Sequence, residues 1–223
     1  MKIKNQCLIL LLFLTIFFAD KEISMAKFDE IQLPRPVKEG KMSLEEAISK
    51  RRSKRSFIQK DLNWEEIGQL LWAAQGITAK IGGFNLRTAP SAGALYPMEI
   101  YLVSKQGLFH YIPQGHKLEV LVQSDLRDSL ANACLGQESV AQASIDIVIC
   151  AVYHRVTDKY GERGIKYVHI EAGHIAQNIH LQAISLGLGS VPIGAFSDEA
   201  VKKILSLPLE YEPLYIIPVG YSD

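Results

Sequence analysis

The sequence predicts an α+β domain, and three observations carry that expectation. Helical and strand-like segments are interleaved along the chain, without the βα alternation of a doubly wound sheet. Apolar runs between residues 98 and 122 are separated by Gln106-Gly107 and Gln114-Gly115, the pattern of an antiparallel meander. Residues 163–186 form one long stretch whose apolar positions wrap around most of a helix. The 223 residues suffice for one domain with a sizeable core, and 48% hydrophobic residues exclude a disordered chain. With 24 basic and 24 acidic side chains, there is no bulk electrostatic pull toward nucleic acid or anionic lipid.

Residues 1–26 read as a secretory signal peptide. Lys2 and Lys4 precede an apolar run over residues 7–19, and Ser24-Met25-Ala26 offers small residues where an export peptidase reads them. The run falls short of the roughly 20 apolar residues that a membrane span needs. Cleavage predicts an exported chain (periplasmic or extracellular) with no stable membrane insertion. An uncleaved membrane anchor, or a start at Met25 that leaves a cytoplasmic protein, are the alternatives. Residues 27–42 carry Pro34 and Pro36 without periodicity and read as an extended arm, and residues 43–223 as a single domain. Cys134 and Cys150 make no disulfide framework, and no Cys/His spacing fits a structural zinc site.

Taken in order, the first helix opens at Ser43, which has Glu46 three places on, and runs into Lys50-Arg51-Arg52. A second opens at Asn63 with Glu66, places Ile67, Leu70, Leu71 and Ala74 at helical spacing, and ends at Gly76. Residues 79–97, rich in glycine and proline, predict a loop. Residues 98–103 are apolar at nearly every position, which suits a strand covered on both faces. Runs 108–112 and 116–122 complete the meander. A helix from Ser124 or Asp125, a shorter one over 137–143 and a buried strand through Cys150 follow.

The helix over 163–186 is predicted to be buried on most sides, within the domain or against a partner subunit. Ala172, Gly173 and Ala176 are small enough to admit another backbone, and Gly187 and Gly189 stop it. Ser197 caps a short helix over 198–205 that Pro208 keeps from continuing. The last strand, 214–219, contains Pro218, which predicts a sheet edge or a strand end. No GxGxxG turn is present, which argues against an ordinary nicotinamide-binding domain.

Three segments invite chemistry. Arg51-Arg52-Ser53-Lys54-Arg55 is either a solvated basic face or a grip on a phosphate monoester, because Arg supplies bidentate charged donors. No matching basic surface elsewhere supports nucleic acid. Pro90-Ser91-Ala92-Gly93-Ala94-Leu95-Tyr96-Pro97 can bring backbone close to a flat ligand, or can simply connect. Gly187-Leu188-Gly189-Ser190-Val191-Pro192-Ile193-Gly194-Ala195-Phe196 is a second small-residue turn. His169, His174 and His180 are spaced five and six apart, not as the i,i+4 metal pair, and read as packing or interface residues.

In this order the segments resemble the flavin-dependent nitroreductase superfamily, and most of all its azoline and peptide-heterocycle dehydrogenases, the SagB-type oxidases. The resemblance runs from about Leu44 to Gly220 and includes Glu171-Ala172-Gly173-His174-Ile175-Ala176-Gln177-Asn178. It implies a nitroreductase-like α+β fold, a mixed or antiparallel sheet flanked by helices, with the long helix at the interface of an obligate FMN-binding homodimer. Arg51, Arg52 and Ser53 match residues that hold the flavin phosphate, and Arg55 one that also reaches the ring. Pro90, Ser91, Ala92 and Gly93 would approach the isoalloxazine from the other subunit. Ile193, Gly194 and Ala195 would line it, with a backbone N–H directed at N5.

In the azoline-oxidising branch a Lys-Tyr pair takes part in deprotonating the substrate, and Lys166-Tyr167 stands at the matching place. A lysine at an apolar pocket can serve as a base. An ordinary surface lysine is the other reading, because adjacent helical side chains diverge by about 100°. Tyr96 either walls the substrate pocket or packs in the core. The implied reaction is ping-pong hydride transfer to or from flavin N5, on a small molecule or a peptide heterocycle. A generic NAD(P)H-dependent nitro or quinone reductase, and a non-enzymatic exported flavin-binding dimer, are the alternatives. One departure from the family pattern is Tyr221-Ser222-Asp223, where many members carry a phosphate-binding Arg or Lys after the final strand.

Overall fold

The computed structural model describes residues 29–222, and the segment read as a signal peptide lies outside them. Strand β1 (Glu30–Gln32) precedes α1 (Leu44–Lys50), whose Ser43 cap accepts the Glu46 N–H at 3.1 Å. Helix α2 (Trp64–Gln75) starts on a reciprocal capping box between Asn63 and Glu66. Strands β2 (Ile77–Ile81) and β3 (Phe84–Arg87) form a hairpin. The meander is β4 (Met98–Ser104), β5 (Gly107–Ile112) and β6 (Lys117–Val122). Helices α3 (Arg127–Ala133) and α4 (Glu138–Gln142) lead to β7 (Ile145–Val152), α5 (His154–Tyr160) and α6 (Arg163–Ser185). The chain closes with β8 (Gly189–Ser190), α7 (Asp198–Leu205) and β9 (Tyr211–Gly220).

Seven strands form one antiparallel sheet in the order β1-β6-β5-β4-β7-β9-β8, with β2 and β3 apart. Helices cover both faces, so the fold is α+β. Every residue of β7 is buried because its two sets of side chains enter two cores. Ile145, Ile147 and Ile149 pack with Leu70, Leu71 and Ile175 of α2 and α6. Val148 and Cys150 meet Leu130, Val140 and Val201 of the helices opposite. The uninterrupted apolar runs of β4 and β7 are thus the signature of strands with two dry faces.

Five details differ from the sequence reading. Residues 79–97 are not all loop, because Ile81 pairs with Phe84 around Gly82 and Gly83, at φ +56° and +85°. Such a two-residue turn needs positive φ and follows the right-handed strand twist. Part of the predicted arm is β1, which joins the sheet edge against Lys117, Leu118 and Glu119. Pro218 is not on an edge strand: β9 lies inside β8, and Pro218 stands opposite Asp146. The two residues of β8 register only with Val219 and Gly220, so Pro218 lies just beyond that short ladder. Helix α6 is not buried all round within the chain: Lys166, Ile170, Gly173, His174 and Gln177 form an exposed stripe. Helix α5, absent from the sequence reading, occupies the seven residues before the turn into α6.

Candidate functional site

The basic segment is fixed against the glycine-rich turn after α6. Ser53 and Ser190 form a parallel bridge, and the Lys54 N–H donates to the Ser190 carbonyl at 3.0 Å. Gly189 permits this approach, since a Cβ there would come within 2.8 Å of Lys54 Cβ. Arg52 Nη1 folds back onto the carbonyls of Ser49 and Arg51 (3.0 and 2.7 Å), at the C-terminal end of α1. Cations are favoured at that end of a helix. Arg51 and Arg55 have no ion-pair or hydrogen-bond partner for their guanidinium groups among the described residues. Behind them His180 is buried, with Nδ1 2.7 Å from Ser190 Oγ and Nε2 unpartnered. Burial, and secondarily Arg51, push this imidazole down to about 4, so it is neutral at ordinary pH.

The same turn continues to Ile193, whose N–H donates to the Ile216 carbonyl at 2.8 Å. That amide is engaged in the fold. The N–H groups of Gly194 and Ala195 have no backbone acceptor among the described residues, and both residues are exposed. Gln137 donates to the Ala195 carbonyl at 2.9 Å and steadies the turn. Arg51, Arg52, Ser53, Arg55, Ile193, Gly194 and Ala195 therefore share one region of the chain.

Pro90, Ser91, Ala92 and Gly93 are elsewhere. Their loop lies against α5 and the first half of α6, where a Gly93 Cβ would stand 2.8 Å from the Tyr160 hydroxyl and 3.0 Å from Lys159 Nζ. Gly93, Ala94 and Tyr96 all have positive φ (63°, 54° and 48°). Tyr167 packs edge-on against Tyr160, ring centroids 5.3 Å apart. Lys166 points to solvent on the exposed stripe, so the lysine beside the loop is Lys159. Tyr96 is half-buried: its hydroxyl accepts the Arg87 N–H at 3.1 Å and its ring lies under the Arg87 guanidinium at 4.6 Å. The loop is tied to α6 at Glu171 and the basic segment at His180. Nine helical residues separate those points, about 14 Å at 1.5 Å per residue.

Sequence reasoning missed the polar network under the loop. Glu171 is 2% exposed, accepts a hydrogen bond from the Ser91 hydroxyl, and lies 3.4 Å from Gln75 Nε2. Gln75 Oε1 in turn accepts from Arg87 Nη1 at 3.1 Å. Burial raises the Glu171 carboxyl to about 7, against the pull of Ser91, Gln75 and Arg87. A cavity of about 680 Å³ between residues 37–44, α2 and the end of α6 is lined by none of the predicted site residues. Among the described residues, no helix is long and apolar enough to cross a membrane.

The Nitroreductase family profile matches residues 48–221. A Methanocaldococcus jannaschii protein named for the nitroreductases is 43% identical over 197 residues, 86% of this chain and 96% of that protein. A solved structure from Ralstonia eutropha, named likewise, superposes with a TM-score of 0.77 at 31% identity, covering 87% of this chain and 90% of the other. The microcin B17-processing protein McbC of Escherichia coli is 28% identical over 133 residues. That match spans 54% of this chain and 48% of McbC. The chain belongs to the Nitroreductase family, whose members characteristically bind FMN.

Proposed function

We propose that this chain is an FMN-dependent oxidoreductase that acts as a homodimer. The supporting observation is the pairing of two partnerless guanidinium groups, Arg51 and Arg55, with the unengaged N–H groups of Gly194 and Ala195 on an adjoining turn. This donor set suits a phosphate monoester at one end and a flat ring with a hydrogen-bond-accepting nitrogen at the other. FMN, when bound, supplies an N5 that takes up or gives back a hydride, which lets two substrates react in turn by ping-pong kinetics. Arg51 and Arg55 hold the phosphate end with Ser53, while Arg52 braces α1. Because the Ile193 amide is engaged by Ile216, the donor to N5 is Gly194 or Ala195.

Loop residues Pro90, Ser91, Ala92 and Gly93 sit at the far end of α6, so a second copy contributes them to the ring. The exposed stripe of α6, with Ile170 46% exposed and open space over Gly173, is the face that such a copy covers. Covering it would also withdraw Lys166 from water, which a lysine needs in order to act as a base beside Tyr167. Tyr96 then lines the substrate side.

Within this reading, a reductase of nitro compounds or quinones using NAD(P)H is favoured over a peptide-heterocycle dehydrogenase. The relative named for nitroreductases is more similar and is matched over nearly its whole length, while the match to McbC is partial. The deciding experiment mixes the FMN-loaded protein with NADPH and with NADH under argon. Bleaching of the flavin band supports the reductase. Loaded flavin that neither nucleotide bleaches points to the dehydrogenase or to a carrier without turnover. A chain that takes up no FMN overturns the whole proposal. Export remains part of it, and a mature N-terminus at Lys27 is the expected result of Edman sequencing.

A further inference from the structure

The loop of residues 90–97 is strained where it is least supported by sequence. Ala94 and Tyr96 adopt positive φ although neither is glycine, a conformation that L-residues avoid unless their surroundings impose it. Two fastenings impose it: Ser91 Oγ accepts the Tyr96 N–H at 2.9 Å within the loop, and the Tyr96 hydroxyl accepts the N–H of Arg87 at the end of β3. With its oxygen engaged by Tyr96, the Ser91 hydroxyl directs its proton to Glu171. Glu171 belongs to the Glu171-Ala172-Gly173-His174 motif, to which the flavin site assigns no role.

We propose that Glu171 is a positioning residue, which fixes loop 90–97 in the shape that the flavin site uses. This rests on the reading of that loop as a wall of the cofactor site. The groups that face Glu171 are Gln75 from α2, Arg87 from β3 and Ser91 from the loop. Arg87 is the charged one among them. As a carboxylate Glu171 accepts from both Ser91 and Gln75.

Amide hydrogen exchange of the full chain tests this, in wild type, Glu171→Ala and Glu171→Gln, beside FMN titrations. For Glu171→Ala we expect exchange over residues 91–96 to speed by about tenfold, with α7 unchanged, and FMN to bind about tenfold more weakly. Glu171→Gln keeps an acceptor for Ser91 and should restore part of the protection. Unchanged loop exchange in either folded variant, or unchanged FMN affinity with a loosened loop, would overturn the inference. Failure of the wild-type chain to bind FMN would instead remove the flavin reading and, with it, this role.

Discussion

His180 Nδ1 lies 2.7 Å from Ser190 Oγ, and this contact ties the second turn from the end of α6 to the strand that leads into Gly194 and Ala195. Nine residues earlier on the same helix, Glu171 holds Ser91. The two groups are perturbed in opposite senses by the same cause, burial.

Their contributions to stability oppose each other in acid. His180 falls from 6.5 to about 4 on folding, so its contribution is complete above 6.5 and is lost as pH drops toward 4. Glu171 rises from 4.5 to about 7, so its contribution is complete below 4.5 and is lost as pH climbs through 7. We expect the stability of His180→Gln relative to wild type to fall from about pH 4 to 6.5, and that of Glu171→Gln relative to wild type to rise from about pH 4.5 to 7. Each slope should amount to about 2–3 kcal/mol. Thermal melts at half-unit intervals check this, and slopes of the same sign in both variants would contradict it.

Asp146 is fully buried on β7, and neither carboxylate oxygen has a hydrogen-bond partner. Burial raises it far above the usual carboxylate range, with Arg127 pulling the other way. The folded chain thus keeps the neutral acid, and stability declines as pH rises above the unfolded value of 3.8. Asp146→Asn should add about 1–3 kcal/mol at pH 8 and almost nothing at pH 4. Urea unfolding at the two pH values measures it. A variant less stable at pH 8 would count against the neutral acid.

The arginines should separate. Arg52 is engaged with the Ser49 and Arg51 carbonyls, so Arg52→Ala should lower Tm and leave FMN affinity within about threefold. Arg51→Ala and Arg55→Ala each remove a guanidinium that the fold leaves unpaired, and should weaken FMN by about 10- to 100-fold. Fluorescence titration distinguishes them. Equal losses for all three would mean that the basic run acts only through its total charge.

Gly107 opens β5 at φ +147°, and a Cβ there would collide with the Val122 carbonyl oxygen across the ladder. Backbone cannot yield as a side chain can. Gly107→Ala should lose at least about 3 kcal/mol in chemical denaturation. Gly82→Ala, in open space at positive φ, should lose only about 1 kcal/mol.

Local rules carried the sequence reading a long way. Ser43 with Glu46 and Asn63 with Glu66 marked helix starts because a cap is settled within four residues. The dry runs of β4 and β7 announced two covered faces. The β2–β3 hairpin was hidden because Gly82-Gly83 sits in a stretch whose composition reads as loop, and its strands are short and largely exposed. At the site, the arginines and the two small-residue turns were legible as motifs. The support beneath them was not: Gln75 and Glu171 are 96 residues apart, and no spacing rule joins them. Nor could a linear pattern show that Arg52 turns back on α1 or that the Ile193 amide is already engaged.

The seven-stranded sheet is bounded by strands of three and two residues, β1 and β8. Neither rim is long enough to template an intruding chain, so the molecule guards its borders by brevity. Residues 29–33 are therefore a shield as much as a strand. Deleting them would lay bare the flank of β6 and invite end-on stacking of sheets between molecules.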